Sequence, residues 1–446
     1  MQMRLKLFHE ARAPLANGHR RDTLLLLSDE EFETNHGFIQ WAFPTSQPSQ
    51  NPTNAPVLDL DSAVWLAEKD DVARFLEDMT TRFLEFLKRS DHWKQKYNHN
   101  HLRVSRALES IRTLHSYELA KWFHETVLKL AGESVSNLET ANEHWLPKVS
   151  PVHDRIAGAF LGLAIGDALG APVEFQRRGS FTPVSTYQSG GKFKLPEGAW
   201  TDDTAMALAL ATSLIESKGF EAEDVLQKFS NWLGLGHFTS TGTAVGVGQN
   251  TLRTLGDYRR KGTLRAEPFG KKNDGNGSLM RLCPVPCFYS ADPKKAAAIS
   301  DEQSRTTHAS DIAAEACQFL SHLLSNLLNG QNYHDAKKKA LESEWSYPLL
   351  SAVDHLFSGY SDVGISSGGY VLDTLQAAIW AAENGQSFRE TVSLAVNLGD
   401  DADTTAAVAG QIAGAMHGLS EIDQDLKIGL AKERQLYVTS QFLSNG

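Results

Sequence analysis

Gly158-Ala159-Phe160-Leu161-Gly162-Leu163-Ala164-Ile165-Gly166-Asp167-Ala168-Leu169-Gly170 is the stretch whose reading decides the fold. Its glycines at 158, 162, 166 and 170 recur every four residues, a spacing that on a helix lines bare backbone along one stripe. A second helix can then approach closely. The sequence offers that partner near its carboxy end, where Ala406, Ala407, Ala409, Gly410, Ala413, Gly414 and Ala415 form an equally small-sided helix ending before Gly418. The apolar run from Ile156 to Gly166 is too short to cross a bilayer and stops at Asp167, so it reads as a buried helix. Alternating apolar and polar runs bounded by turns are scarce and no fixed-period repeat is visible. The segment reads as all-α, without a βαβ sheet.

Upstream the composition changes. Leu146-Pro147-Lys148-Val149-Ser150-Pro151 breaks the pattern ahead of the Gly- and Ala-rich segment. With 446 residues the chain exceeds what one hydrophobic core organises, so two domains are expected, residues 1–148 and 149–446. In the first, residues 46–56 form a proline and asparagine loop. Helical spacing then runs over 63–88 and again over 102–130, with Val104, Leu108, Ile111 and Leu114 on one face. This part also reads as mostly helical.

A formal net charge of −11 argues against a broad grip on nucleic acid or on an anionic membrane. Three cysteines, Cys283, Cys287 and Cys317, cannot complete an even disulfide framework and lack zinc-site spacing, and the first thirty residues contain no long apolar stretch. A cytoplasmic protein is the expectation.

Two acidic clusters carry the chemistry. Trp200-Thr201-Asp202-Asp203-Thr204 precedes an Ala- and Leu-rich helix over 205–216, and Asp400-Asp401-Ala402-Asp403-Thr404-Thr405 precedes the small-sided helix. Either cluster alone is explained by helix capping, because Thr and Asp accept amide bonds at an N-cap and favour the positive end of the helix dipole. Two of them at the starts of two packed helices would converge, and their repulsion calls for cations. Carboxylates and hydroxyls with no Cys or His suit Mg²⁺ or Mn²⁺ better than zinc, and the ligand count suits two ions.

The segments Gly158 to Phe175, Trp200 to Met206, Gly275 to Arg281, Thr307-His308, Gly369 to Leu375 and Asn397 to Gly410 together resemble the ADP-ribosylglycohydrolase family, of the dinitrogenase reductase-activating type, over about residues 153–435. The resemblance implies an all-helical fold and two Mg²⁺ or Mn²⁺ ions beneath a bound ADP-ribose. Carried over by position, it makes Thr201, Asp202, Asp203, Asp401, Asp403 and Thr404 metal ligands, with Glu174 facing the ions and Glu174, Asp202, Asp203 and Asp401 serving catalysis. It places Gly248, Asn276, Gly277, Ser278, His308 and Tyr370 around the substrate. A lone histidine is more often structural, Gly-Asn-Gly alone is a turn, and Tyr370 can stack on adenine, bond ribose or pack at a helix start. This chain departs from the family in having Asp400 where a second glycine is common, and in lacking a carboxylate in Thr243-Ala244-Val245-Gly246-Val247-Gly248.

Near the amino end, Asn35-His36-Gly37-Phe38-Ile39-Gln40-Trp41-Ala42-Phe43-Pro44 and Asn100 to Arg106 resemble the conserved domain of opioid growth factor receptor-like proteins. His36, Trp41, His99 and His101 read better as packing than as a site. The combined expectation is hydrolysis of the bond between C1″ of the distal ribose and an acceptor, an N-glycosidically linked arginine on a modified protein. The amino-terminal domain is expected to contact a protein, such as a cognate ADP-ribosylating toxin to which the chain confers immunity. Competing readings are a non-catalytic ADP-ribose-sensing or toxin-occluding protein, and a dimetal phosphohydrolase.

Overall fold

Both long helical patterns of the amino-terminal half are broken in the computed structural model, which describes residues 2–15, 18–49, 55–269, 273–354, 362 and 364–445. The first becomes α1 (Leu60–Ala67) and α2 (Asp70–Arg89), because Lys69 is extended at φ −105° and ψ 112°. The second becomes α3 (Asn100–Leu114) and α4 (Tyr117–Ala131): Ser116 is extended, and its hydroxyl accepts the Leu119 amide and starts a new helix. Apolar spacing alone runs through such breaks, since the residues on either side still face one core. Of the proline loop, residues 50–54 lie outside the described residues.

The chain divides into two compact units, Met1–His153 and Asp154–Gly446. The first is built on buried aromatics: Phe32 lies 4.9 Å from Phe38 and 4.8 Å from Phe86, ring centre to ring centre. Two of the histidines noted above, His36 and His101, are held there by hydrogen bonds. Arg103 donates to His36 Nδ1 at 3.1 Å and to the Phe32 carbonyl at 2.8 Å, while His101 Nε2 bonds the Trp93 carbonyl at 2.7 Å.

The second unit is assembled around α5 (Pro151–Gly170), α6 (Asp202–Ser217), α7 (Gln249–Lys261), α8 (Val371–Asn384) and α9 (Ala402–His417). Every residue from Ile156 to Glu174 is buried, so α5 is a core helix, as its apolar run predicts. Its glycine stripe meets α9 at backbone distance. A methyl group added at Gly162 would strike the Gly410 carbonyl, at Gly166 the Ala406 carbonyl, and at Gly170 the backbone of Asp403. Only glycine at those positions of α5 permits that approach. Among the described residues there is no strand, only three isolated bridges, including Gly275 with Tyr370. The all-α expectation holds.

Candidate functional site

The contact of Gly170 with Asp403 sets the site, because it brings the end of α5 against the start of α9. One turn back on α5 stands Asp167, fully buried, which reaches across to the start of α6. Its carboxylate accepts the Thr201 and Thr204 amides at 2.9 and 3.0 Å and the Thr201 and Thr204 hydroxyls at 2.9 and 2.6 Å. The amino end of α6 is therefore capped from another helix. Thr201 and Asp401, the N-cap residues of α6 and α9, make no side-chain cap bond of their own. Capping thus does not account for the two acidic clusters.

What remains is a convergence of carboxylates. Oxygens of Asp167, Asp203 and Asp403 all lie within 4.8 Å of one another, and so do those of Glu174, Asp401 and Asp403. Asp403 belongs to both groups. The Thr201 hydroxyl lies 3.2 Å from Asp203 Oδ2 and 3.4 Å from Asp403 Oδ2, and Asn276 Nδ2 donates to Asp401 Oδ2 at 2.7 Å. Burial pushes the Glu174 carboxyl up to about 8, helped by the charges of Asp401, Asp202 and Asp167. Burial, then Asp167, does the same for Asp202, also to about 8. Asp203 and Asp403 are driven well above the carboxylate range, mainly by burial and then by neighbouring acids.

Such a cluster fits hard divalent cations. The donors are all oxygens, and two of them, Glu174 Oε2 and Asp203 Oδ1, are buried without a hydrogen-bond partner. Two triads that share one carboxylate provide two adjacent positions.

At the cluster opens a cavity of about 1090 Å³, whose lining includes Glu174, Asp202, Asp401, Asp403 and Thr404 together with Asn250, Arg253 and Phe269. That volume suits a nucleotide-sized ligand. Gly248, Asn276, Gly277 and His308 line it, as the family resemblance implies. His308 is buried, pairs through Nδ1 with the Thr307 hydroxyl at 2.8 Å, and is pushed down to about 3 by burial and by Arg281. It meets a ligand as a neutral imidazole. Arg281 is itself buried over the Phe229 ring at 4.6 Å and donates to Thr307 Oγ1 at 2.8 Å, which fixes the turn that carries His308.

Two residues assigned to the substrate fall outside the cavity lining. Ser278 is fully buried and bonds Ser304 at 2.7 Å, so it supports the loop from behind. Tyr370 is the N-cap residue of α8 and is 41% exposed. Asp202 lines the cavity outside the two carboxylate groups, to which Asp167 adds an acid that the sequence reading did not name as part of the site. Sequence reasoning passed over Asp167, although a single acid inside an otherwise apolar buried helix is a usable signal. It also passed over Gly246, at φ +84°, where any side chain would strike Asp202 Oδ1.

The sequence profile described as ADP-ribosylglycohydrolase matches residues 149–444. The chain is 39% identical to ADP-ribosylarginine hydrolase Tri1 of Serratia proteamaculans (strain 568) over 273 residues, 60% of this chain and 73% of that protein. It is 33% identical to ADP-ribosyl-[dinitrogen reductase] glycohydrolase of Rhodospirillum rubrum, covering 64% of this chain and 94% of that one. A solved structure described as an ADP-ribosylglycohydrolase-related protein complex superposes with a TM-score of 0.58 at 35% identity, over 66% of this chain and 98% of the other. Helix pairing, cavity and sequence thus agree, and the chain belongs to the ADP-ribosylglycohydrolase family.

Proposed function

We propose that this enzyme hydrolyses ADP-ribosyl-arginine on modified protein, breaking the bond from C1″ of the distal ribose to the guanidino nitrogen. Water adds its oxygen to C1″, one of its protons leaves to a cavity carboxylate, and the departing guanidine regains a proton. The observation that carries this reading is the meeting of acids from α5, α6 and α9 at the floor of one large cavity. Asp167, Asp203 and Asp403 would hold one Mg²⁺ or Mn²⁺, and Glu174, Asp401 and Asp403 the other. When bound, the ions supply Lewis-acid charge that orients the ribose hydroxyls and neutralises the acids.

The chain's own groups divide the remaining work. Asp202, on the cavity wall and outside both triads, orients the water and takes its proton. The Gly275 to Gly277 backbone and neutral His308 hold the diphosphate and ribose by hydrogen bonds, and Arg253, also on the cavity lining, offers the diphosphate a positive charge. The test compares label release from arginine-ADP-ribosylated protein by wild type and Asp202→Ala in Mg²⁺. The variant is expected to lose about 10²–10⁴-fold in kcat. Equal release by both would remove Asp202 from the reaction, and binding of ADP-ribose with no release by wild type would favour a sensing protein.

We also propose that residues 1–148 dock a protein, in keeping with their likeness to the opioid growth factor receptor-like domain. This unit exposes Leu26, Tyr97, Leu102 and Trp122, and a cognate ADP-ribosyltransferase toxin is the proposed partner in a cytoplasmic immunity role. Loss of toxin capture in Leu102→Glu and Trp122→Glu would support it, and undiminished capture in both would end it.

A further inference from the structure

Two residues that are not glycine adopt the left-handed backbone region side by side at the acidic end of the cavity: Phe175 at φ +64° and Asp400 at φ +53°. Phe175 N–H donates to the Asp400 carbonyl at 2.6 Å, and Asp400 N–H donates to the Gln176 carbonyl at 2.7 Å. Each directly adjoins a carboxylate of the site, Glu174 in one case and Asp401 in the other. Both residues line the cavity, and both side chains are exposed. The carboxylate of Asp400 makes no hydrogen bond or ion pair among the described residues. The Phe175 ring already receives a cation: Lys192 Nζ lies 3.9 Å from its centre.

We propose that Phe175 and Asp400 form the acceptor lip of the site and select a planar cationic acceptor, a guanidinium, over a neutral one; this rests on the hydrolase reading above. An aromatic face beside an unengaged carboxylate matches a guanidinium on both counts, since the cation stacks on the ring and its forked N–H groups meet the two oxygens. Position gives the ligand its direction: the ions proposed above would take the distal ribose at Glu174, Asp401 and Asp403, and Phe175 and Asp400, each next in sequence to one of those acids, then stand beside the acceptor on C1″. ADP-ribosylated arginine keeps its positive charge, whereas serine-linked ADP-ribose presents no cation there. A left-handed position favours glycine, so an aspartate held there at a cavity mouth points to a function.

The experiment measures steady-state kinetics of wild type, Asp400→Gly, Asp400→Asn and Phe175→Leu on arginine-linked and serine-linked ADP-ribosyl peptides, with free ADP-ribose binding by calorimetry. Wild type is expected to prefer the arginine linkage. Asp400→Gly and Asp400→Asn should each raise KM for it about tenfold, one bidentate charged contact, and Phe175→Leu should raise it less. Affinity for free ADP-ribose, which has no acceptor, should stay within about twofold of wild type. The proposal is overturned if wild type prefers the serine linkage, if both Asp400 variants keep the arginine KM, or if ADP-ribose affinity falls along with it, the mark of a purely structural role. Release from neither peptide by wild type would instead strike the hydrolase reading itself.

Discussion

Asp167 shows how one side chain ties structure to chemistry. It caps α6 by accepting from four donors, the amides and hydroxyls of Thr201 and Thr204, and at the same time belongs to one of the carboxylate triads. Asp167→Asn keeps the size but replaces one oxygen acceptor by a donor that faces the Thr201 and Thr204 amides. It is expected to lower the thermal midpoint and to reduce the stabilisation by Mg²⁺ seen in wild type, both read by a melting curve with and without the ion. An Mg²⁺-induced shift equal to that of wild type would show that Asp167 is no ligand. Gly246 gives a second case. Gly246→Ala adds a methyl group that must displace the Asp202 carboxylate, so kcat should fall by about 10²-fold or more, and the φ of +84° should also cost about 1 kcal/mol of stability, read as a modestly lower melting midpoint. Wild-type turnover in that variant would detach Asp202 from the reaction.

At the scale of elements, the helix pair of the second unit was legible because its signal is local. Four glycines at a four-residue spacing specify a bare stripe whatever surrounds them, and a small-sided partner follows from the need to fill it. What the sequence concealed depends on neighbours distant along the chain. The turn of Ser278 toward Ser304 and Cys317 is a tertiary fact, as is the reach of Asp167 to α6. The break between α3 and α4 was hidden for another reason: the register of the apolar face survives it, while the local capping at Ser116 is read only from backbone angles. Helix contact also fixes a prediction about stability. Gly162→Val drives a branched side chain into the Gly410 backbone and should cost about 3 kcal/mol in urea unfolding, whereas Gly248→Ala, which meets open space, should cost well under that. Equal losses would mean that the close helix pair contributes nothing special.

At the scale of the whole molecule, buried histidines set the acid limit. Burial holds His9 down at about 4 and His153 and His308 at about 3, against 6.5 for a free imidazole. A base whose folded pKa is depressed gives its full stabilisation above the unfolded value, and that contribution is lost as pH falls from 6.5 toward the folded value. Each group should approach a slope of about 1.4 kcal/mol per pH unit within that window. His153 accepts from Arg112 at 2.9 Å and bonds the Pro147 carbonyl at 2.8 Å. His153→Gln should therefore flatten the dependence of the urea midpoint on pH between 6 and 4.5, since one of the depressed histidines is removed. A slope equal to that of wild type would mean that His153 is charged in the folded state.

One carboxylate, Asp403, sits in both triads, and on the dimetal proposal above this would couple the loading of one cation position to that of the other. The first ion to arrive takes up negative potential that the second also needs, so the loading isotherm should show two steps, the later one weaker. At low free magnesium the half-loaded protein then predominates, and turnover should rise more steeply with ion concentration than occupancy of the first step does. Cellular divalent ion levels would in this way act as a throttle on activity, set by the sharing of one side chain between two sets of ligands.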